Sequence, residues 1–450
     1  MLSGPVLFLL LVLAIAFVVV ATTRFKLHPF LALLLAGYGM GLASGVSPAQ
    51  TITALTGGFG RTIGYIGIVI ACGCIIGIVL EKSGAALVMA NTVVGWIGRT
   101  RSVLAMSCTG AIVSIPVFCD SGYVILSPLA RSLARRTRES MAAFAVALSM
   151  GLYATHCLVP PTPGPIAAAG EMRADIGTVI LLGIVVSVPV IVATYAYARY
   201  IGRRVAIETG PTTAADDEGS LSQPAPRRLQ AFVPIVVPVL LIALKSVADL
   251  PGRPFGEGPF VGAVRLLGDP NAALLIGVGL AAWVARRHGL GTFSGWCSEG
   301  LRDAGTIILI TGAGGALGAV LRETPLATLV GEALGSMRLG RFSLFLPFIV
   351  AAGLKTSIGS STVAMITTAS LVAPLLPTMG LATGAGPALA TLAVASGAMM
   401  VSHVNDSYFW VITQMSKLTV AQGYRLVTVA SGIAGLTAIL TVFLLGLIVL

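Results

Sequence analysis

The 450-residue chain is 56% hydrophobic and only 10% charged, with mean hydropathy +0.96 and a formal net charge of +11. A soluble domain carries about 25% charged residues, so the composition excludes a soluble enzyme and implies an all-α polytopic membrane protein. The basic residues cluster in short loops, which is the pattern of cytoplasmic loops and not of a nucleic-acid-binding patch.

A membrane-crossing helix needs about 20 apolar residues. Segments 5–21, 28–46, 62–80, 176–198, 231–248, 271–285, 303–321 and 427–450 read as spans. No basic stretch precedes 5–21, so it reads as a first span and not as a cleavable leader. The six cysteines lie mostly in apolar segments, and Cys72-Gly-Cys74 has no second ligand pair. They read as free thiols, with no metal site.

Several segments do not read as simple spans. Residues 102–134 contain "IPVFCDSGYVILSPL" (115–129), in which Asp120 is the only charge between Arg101 and Arg131. Arg99 and Arg101 precede this segment, and Arg131, Arg135, Arg136 and Arg138 follow it. Basic residues at both ends place them on one side, predicting a re-entrant hairpin over 102–134 with Asp120 at its tip. The next helix, about 141–174, is broken by "THCLVPPTPGP" (155–165). Its prolines cannot continue a helix, so the expectation is a helix that stops near His156, unwinds and resumes beyond Pro165. Pro160, Pro161, Pro163 and Gly164 make that break. The stretch 203–230 is rich in Pro, Asp and Glu and reads as a cytoplasmic linker.

The second half echoes the first in order. "GIVLEKSG" (77–84) parallels "GAVLRETP" (318–325), and "SMGLYATH" (149–156) parallels "SGAMMVSH" (396–403), at offsets of 241 and 247. The prediction is two halves, 1–202 and 231–450, each with about five crossings, a re-entrant hairpin and a broken helix. The odd number turns the second copy upside down, the inverted-repeat plan of secondary transporters. The second hairpin falls at about 342–378 with tip "KTSIGSST" (355–362). The second broken helix falls at about 386–417, interrupted at "SHVNDSYF" (402–409).

The motifs "IPVFCDSGYVILSPL", "THCLVPPTPGP", "GSSTVAMITTASLVAPL" and "SHVNDSYFW" resemble those of the gluconate permease family, gluconate:proton symporters of the ion transporter superfamily. The resemblance implies proton-coupled uptake of sugar acids or related small organic anions across a bacterial inner membrane. It also implies an elevator-type motion of hairpins and broken helices against a scaffold, in a homodimer embedded in the lipid bilayer. Where the gluconate carriers commonly have two aromatics and a Glu, this chain has Phe118, Cys119 and Asp120; where they commonly have a second His, it has Thr162. The shorter acid and the smaller neighbour point to an altered cargo.

An intramembrane ionisable residue is a functional candidate by default. Asp120, with Ser121 and Gly122, either seats the coupling proton or caps the helix starting near Ser121. Lys355 either holds the cargo carboxylate or pairs with Asp120. Ser357, Gly359, Ser360, Ser361 and Thr362 either present N–H groups and hydroxyls to an anion or serve close packing. His156 and His403 lie at corresponding breaks and read either as satisfied core histidines or, because imidazole titrates in the physiological range, as proton shuttles or donors to the cargo. Asn405 and Asp406 either cap the following helix or, with Ser402, line the site. The proton-coupling candidates are Asp120, His156, His403 and Asp406. Glu81 and Arg322 read as interfacial charges, and the glycines of "TGAGGALG" (311–318) as packing contacts. No cofactor is called for. A sodium-coupled carrier and an anion channel are the alternatives; no HExxH, GxSxG or carboxylate-rich metal cluster supports an enzyme.

Overall fold

A computed structural model of the chain describes residues 4–98, 101–137, 139–205, 207, 226–249, 255–324, 340–404 and 406–450. The described residues are 83% helical, with no strand among them. In order, α1 is Gly4–Thr23, α2 Pro29–Ala43, α3 Pro48–Lys82, α4 Ala85–Ile97, α5 Ser102–Val113 and α6 Cys119–Thr137. Then come α7 (Met141–Leu158), α8 (Pro163–Glu171), α9 (Ile176–Gly202), α10 (Arg228–Ala248), α11 (Pro259–Leu267) and α12 (Pro270–Ala285). The remaining helices are α13 (Leu290–Glu323), α14 (Phe345–Ile358), α15 (Ser361–Val372), α16 (Gly386–Gly397), α17 (Ser407–Met415), α18 (Val420–Gly423) and α19 (Val429–Val449).

Among the described residues, six helical segments are long and apolar enough to cross a membrane, or eight if each of two bent pairs is one span. The burial pattern explains their arrangement. Every residue of α7 and of α16 is buried. A helix that is apolar all round belongs inside, and these two form the middle of the molecule. By contrast, α9, α10 and α19 expose Val188, Val192, Leu240, Leu440 and Leu444. Apolar side chains on the rim suit a surface solvated by lipid.

Two helices run longer than their apolar stretches suggest. α3 starts at Pro48 and not near 62, because Ser47 and Gln50 form a capping box and Pro48 occupies the first turn. α13 starts at Leu290 and not near 303. Hydropathy sees only the apolar part of each. α3 and α13 pack antiparallel along much of their lengths, with α2 beside them. Close approach is allowed by small residues: a Cβ on Gly58 would lie 2.5 Å from the Gly315 carbonyl oxygen. At the other end a Cβ on Gly300 would lie 2.9 Å from Ile75 Cα, and Lys82 pairs with Glu299 at 3.0 Å. The glycines of 311–318 thus serve packing: Gly312 meets Phe59 and Gly314 meets Ser370.

The helix breaks differ in detail from the sequence expectation. α5 and α6 flank a break at 114–118, and α6 begins at Cys119. Asp120 therefore sits inside the first turn and is not the cap of a helix starting at Ser121. α7 continues to Leu158, two residues past His156. α8 resumes at Pro163, with Pro163 in its first turn. Proline lacks only an N–H that has no partner at that position, so Pro163, Gly164 and Pro165 start the helix while Pro160 and Pro161 make the break. Lys355–Ile358 are still helical, and the turn into α15 is only Gly359 and Ser360. Gly359 takes φ +88° there, a left-handed conformation that glycine adopts without a Cβ clash. Ser407–Phe409 are already in α17, so the last break ends at Asp406.

Candidate functional site

The breaks bring charged and polar side chains together in the apolar interior. Lys355, on the last turn of α14, is fully buried. Its Nζ lies 2.6 Å from Asp406 Oδ2 and donates to the carbonyl oxygen of Gly359. It also lies 5.9 Å from the centre of the Tyr153 ring. Asp406 is buried at the start of α17, and its carboxylate accepts from three donors. Oδ2 takes the Lys355 ammonium and the Ser402 hydroxyl, while Oδ1 accepts the Tyr408 N–H at 3.1 Å, as an N-cap does. The Asp406 N–H donates to the His403 carbonyl oxygen at 2.8 Å. Lys355 is thus paired with Asp406 and not with Asp120. A buried ammonium is tolerated because its charge is matched and its protons are accepted.

Tyrosines of α7, α17 and α6 close round this pair. Tyr153 of α7 donates to the Ala398 carbonyl oxygen at 3.1 Å and lies 2.7 Å from Ser361 Oγ. Tyr408 of α17 donates to the Ser149 carbonyl oxygen at 2.8 Å, and its ring lies 5.5 Å from that of Tyr153. Tyr123 of α6 joins from the other side, 6.2 Å from the Tyr408 ring, with its hydroxyl 2.6 Å from Ser416 Oγ. Asp120 is partly buried; Ser407 donates to its Oδ1 at 3.4 Å, and it lies within electrostatic reach of Asp406 and Lys355. The α6 and α17 termini therefore meet through a carboxylate and a hydroxyl.

The two histidines have different surroundings. His403 is half-buried, with Nε2 2.9 Å from the Thr356 carbonyl oxygen, which ties the last break to α14. His156 is buried against Phe118, within reach of Lys355 and Asp406. Among the described residues its Nδ1 has no hydrogen-bond partner. An unsatisfied buried polar atom costs about 1–3 kcal/mol, so this nitrogen is open to a polar partner.

The other candidates sort by position. Ser360 caps α15 through Val363 N–H at 3.3 Å, and Ser361 reaches Tyr153. Thr362 Oγ1 lies beside Gly164 of α8. Ser357 turns its hydroxyl back to the Gly353 carbonyl oxygen at 2.9 Å. Ser121 lies within electrostatic reach of Glu81 at the end of α3, and Gly122 lies against Leu152. Thr162 closes the first break by donating to the His156 and Val159 carbonyl oxygens. Asn405 lies outside the described residues. Sequence reasoning missed Tyr153 and Tyr408. Their signal was a phenol hydroxyl within an apolar helix, which needs a partner when buried.

Buried charge and hydrogen-bonded hydroxyls at helix breaks, with six to eight membrane-length apolar helices among the described residues, define a membrane transporter. Comparison with known proteins gives the family: residues 6–448 match the family model described as GntP family permease. The chain belongs to that family, whose members are permeases and not enzymes. It is 35% identical to an uncharacterized permease of Haemophilus influenzae over 97% of this chain and 92% of that one. It is 33% identical to the D-serine transporter DsdX of Escherichia coli K12, covering 98% of both. It is 31% identical to a gluconate permease of Pseudomonas aeruginosa, covering 96% and 95%. The crystal structure of the Alcanivorax borkumensis YdaH transporter shares the fold, with TM-score 0.69 and 16% identity over 93% of this chain and 97% of that one.

Proposed function

We propose that the chain is a proton-coupled symporter for small hydroxylated carboxylates, gluconate or a related sugar acid, in a bacterial inner membrane. The observation that carries this reading is the buried Lys355–Asp406 pair at the meeting of two helix breaks. A cargo carboxylate approaching Lys355 competes with Asp406. Pulling Asp406 away leaves a buried carboxylate without its cation, which is strongly unfavourable. A proton on Asp406 removes that charge and frees the ammonium. The buried pair then still holds one cation and one anion, so cargo and proton bind together. Asp120 is nearby and less buried, and serves as the way station for the proton. His156 Nδ1 and the Ser361 and Ser402 hydroxyls meet the cargo hydroxyls. The names of the relatives, a gluconate permease and a D-serine transporter, fit a site for small hydroxylated acids.

The cycle is of elevator type, in a homodimer. α3 and α13 belong to the scaffold, and the hairpins and broken helices move against it. The two scaffold helices are 35 and 34 residues long and antiparallel, as equivalent members of an inverted repeat would be. A sodium-coupled reading has one observation in its favour: the Gly359 carbonyl and the Asp406 carboxylate converge on the point Lys355 Nζ occupies, the oxygen donors a hard cation takes. Uptake into proteoliposomes under imposed gradients separates the readings. Gluconate or a related acid accumulating under an inward proton gradient alone supports the proposal. Accumulation only under a sodium gradient replaces the ion. Flux without accumulation under either gradient makes the protein a channel.

A further inference from the structure

A second charged recess lies away from the Lys355–Asp406 pair, between α3, the end of α8 and the end of α13. Its cavity is about 300 Å³ and is lined by Arg61, Thr62, Tyr65, Glu171, Arg173 and Arg322. Glu171 is buried, and its Oε1 accepts the Thr62 hydroxyl at 2.9 Å. Gly315 of α13 lets that carboxylate in, because a Cβ there would lie 2.8 Å from Glu171 Oε1. Arg322 is within electrostatic reach of Glu171, Arg173 and Arg61. Among the described residues none of the three guanidinium groups forms an ion pair within 4.0 Å.

Among the described residues, three cations and one carboxylate leave two positive charges in excess around the recess, with Arg61, Arg173 and Arg322 at exposed positions on its rim. Like charges gathered at one mouth make it attractive to an anion, and guanidinium groups bind carboxylates through paired hydrogen bonds. The volume lies at the small end of the range for small-molecule sites, about 300–1,000 Å³. Tyr65 and Thr62 add hydroxyls for a polyhydroxylated ligand. The recess lies at the Gly58–Gly315 end of the α3–α13 pair, opposite the Lys82–Glu299 end.

We infer that this recess is a second binding site for small organic carboxylates, one that captures anionic cargo ahead of the Lys355–Asp406 site. The inference rests on the reading of the cargo as an anion. Clefts of one charge raise the local concentration and association rate of the opposite charge by about 10–10³.

The test is the labelling rate of Tyr65→Cys in the full-length protein reconstituted in phosphatidylcholine vesicles, with labelling of the parent protein subtracted. An anionic thiosulfonate should react about ten-fold faster than a cationic one of similar size, with the preference falling as salt rises. Arg61→Gln and Arg322→Gln, singly and together, should bring the two rates toward equality. Millimolar gluconate should slow labelling, and should still do so in Lys355→Met. Equal rates for both reagents, or a preference untouched by the Arg variants, overturn the inference. Protection that disappears in Lys355→Met overturns it too, since the effect would then come from the central site, and the transport reading would survive. Slowing by phosphatidylglycerol in the vesicles but not by gluconate overturns it in favour of a lipid headgroup. Gluconate protection that persists in a protein without coupled uptake upholds the recess while sinking the transport reading.

Discussion

Among the described residues Lys355 and Asp406 form an ion pair with each other and with no other charged group within 4.0 Å, so each holds the other in place. Lys355→Met should leave Asp406 buried without its cation and lower stability by about 3–5 kcal/mol, the usual cost of breaking a buried pair. Lys355→Met combined with Asp406→Asn removes both charges and should recover most of the thermal stability. Uptake should stay lost in both variants, because neither retains a cation for cargo. Thermal unfolding of the purified proteins, paired with uptake, reads both effects; a single Lys355→Met protein as stable and active as the parent would remove the pair from the mechanism. Asp120 makes a different prediction. Its position inside the first turn of α6, bonded by Ser407 across the gap to α17, is not that of a helix cap. Asn at this position keeps the shape and a hydrogen-bond acceptor but cannot change charge. Asp120→Asn should fold and bind cargo, lose uptake driven by a pH gradient, and show a flatter pH dependence of binding. Near-normal proton-driven uptake would instead leave the proton to Asp406 or the histidines.

At the scale of the helices, the short turn between α14 and α15 concentrates the most function in the fewest residues. Gly359 takes φ +88°, and its carbonyl oxygen receives the Lys355 ammonium. A residue with a Cβ pays about 1–2 kcal/mol in that conformation. Gly359→Ala should therefore leave the fold intact, lower thermal stability by about that amount, and weaken cargo binding by rotating the carbonyl from Lys355. Unchanged affinity would show that the carbonyl only packs. This turn also shows what a sequence can carry. Breaks at 114–118, 159–162 and 359–360 follow from prolines, glycines and polar residues in apolar runs, which act locally and are readable in order. The partner of Lys355 is 51 residues away and is set by how α14 packs on α17, which no local pattern reports. The early starts of α3 and α13 were hidden because their first turns are polar enough to resemble loops. The recess around Glu171 was hidden for the same reason: its charges come from three separated stretches, each of which alone reads as a helix end.

For the whole molecule, the decisive question is whether its two halves face opposite ways across the bilayer. α3 and α13 are nearly equal in length, and their starts, at Pro48 and Leu290, lie at opposite ends of one antiparallel pair. An odd number of crossings per half, and so an even number between them, would give this arrangement and would let the two hairpins open to opposite sides in turn. Ala49 and Thr292 are exposed and sit one and two residues into the two helices. Ala49→Cys and Thr292→Cys, each placed in a background with the six native cysteines replaced, should therefore label from opposite sides of the membrane. By the distribution of basic loops, Ala49 belongs outside the cytoplasm and Thr292 inside. A membrane-impermeant maleimide applied to intact cells should reach the first and spare the second, and inverted vesicles should reverse the pattern. Labelling of both from one side would mean that the halves are parallel, and an alternating-access cycle built on exchange between inverted hairpins would have to be abandoned. Both sites labelling from both sides in the absence of cargo, with protection only when gluconate is bound, would point instead to an open pore.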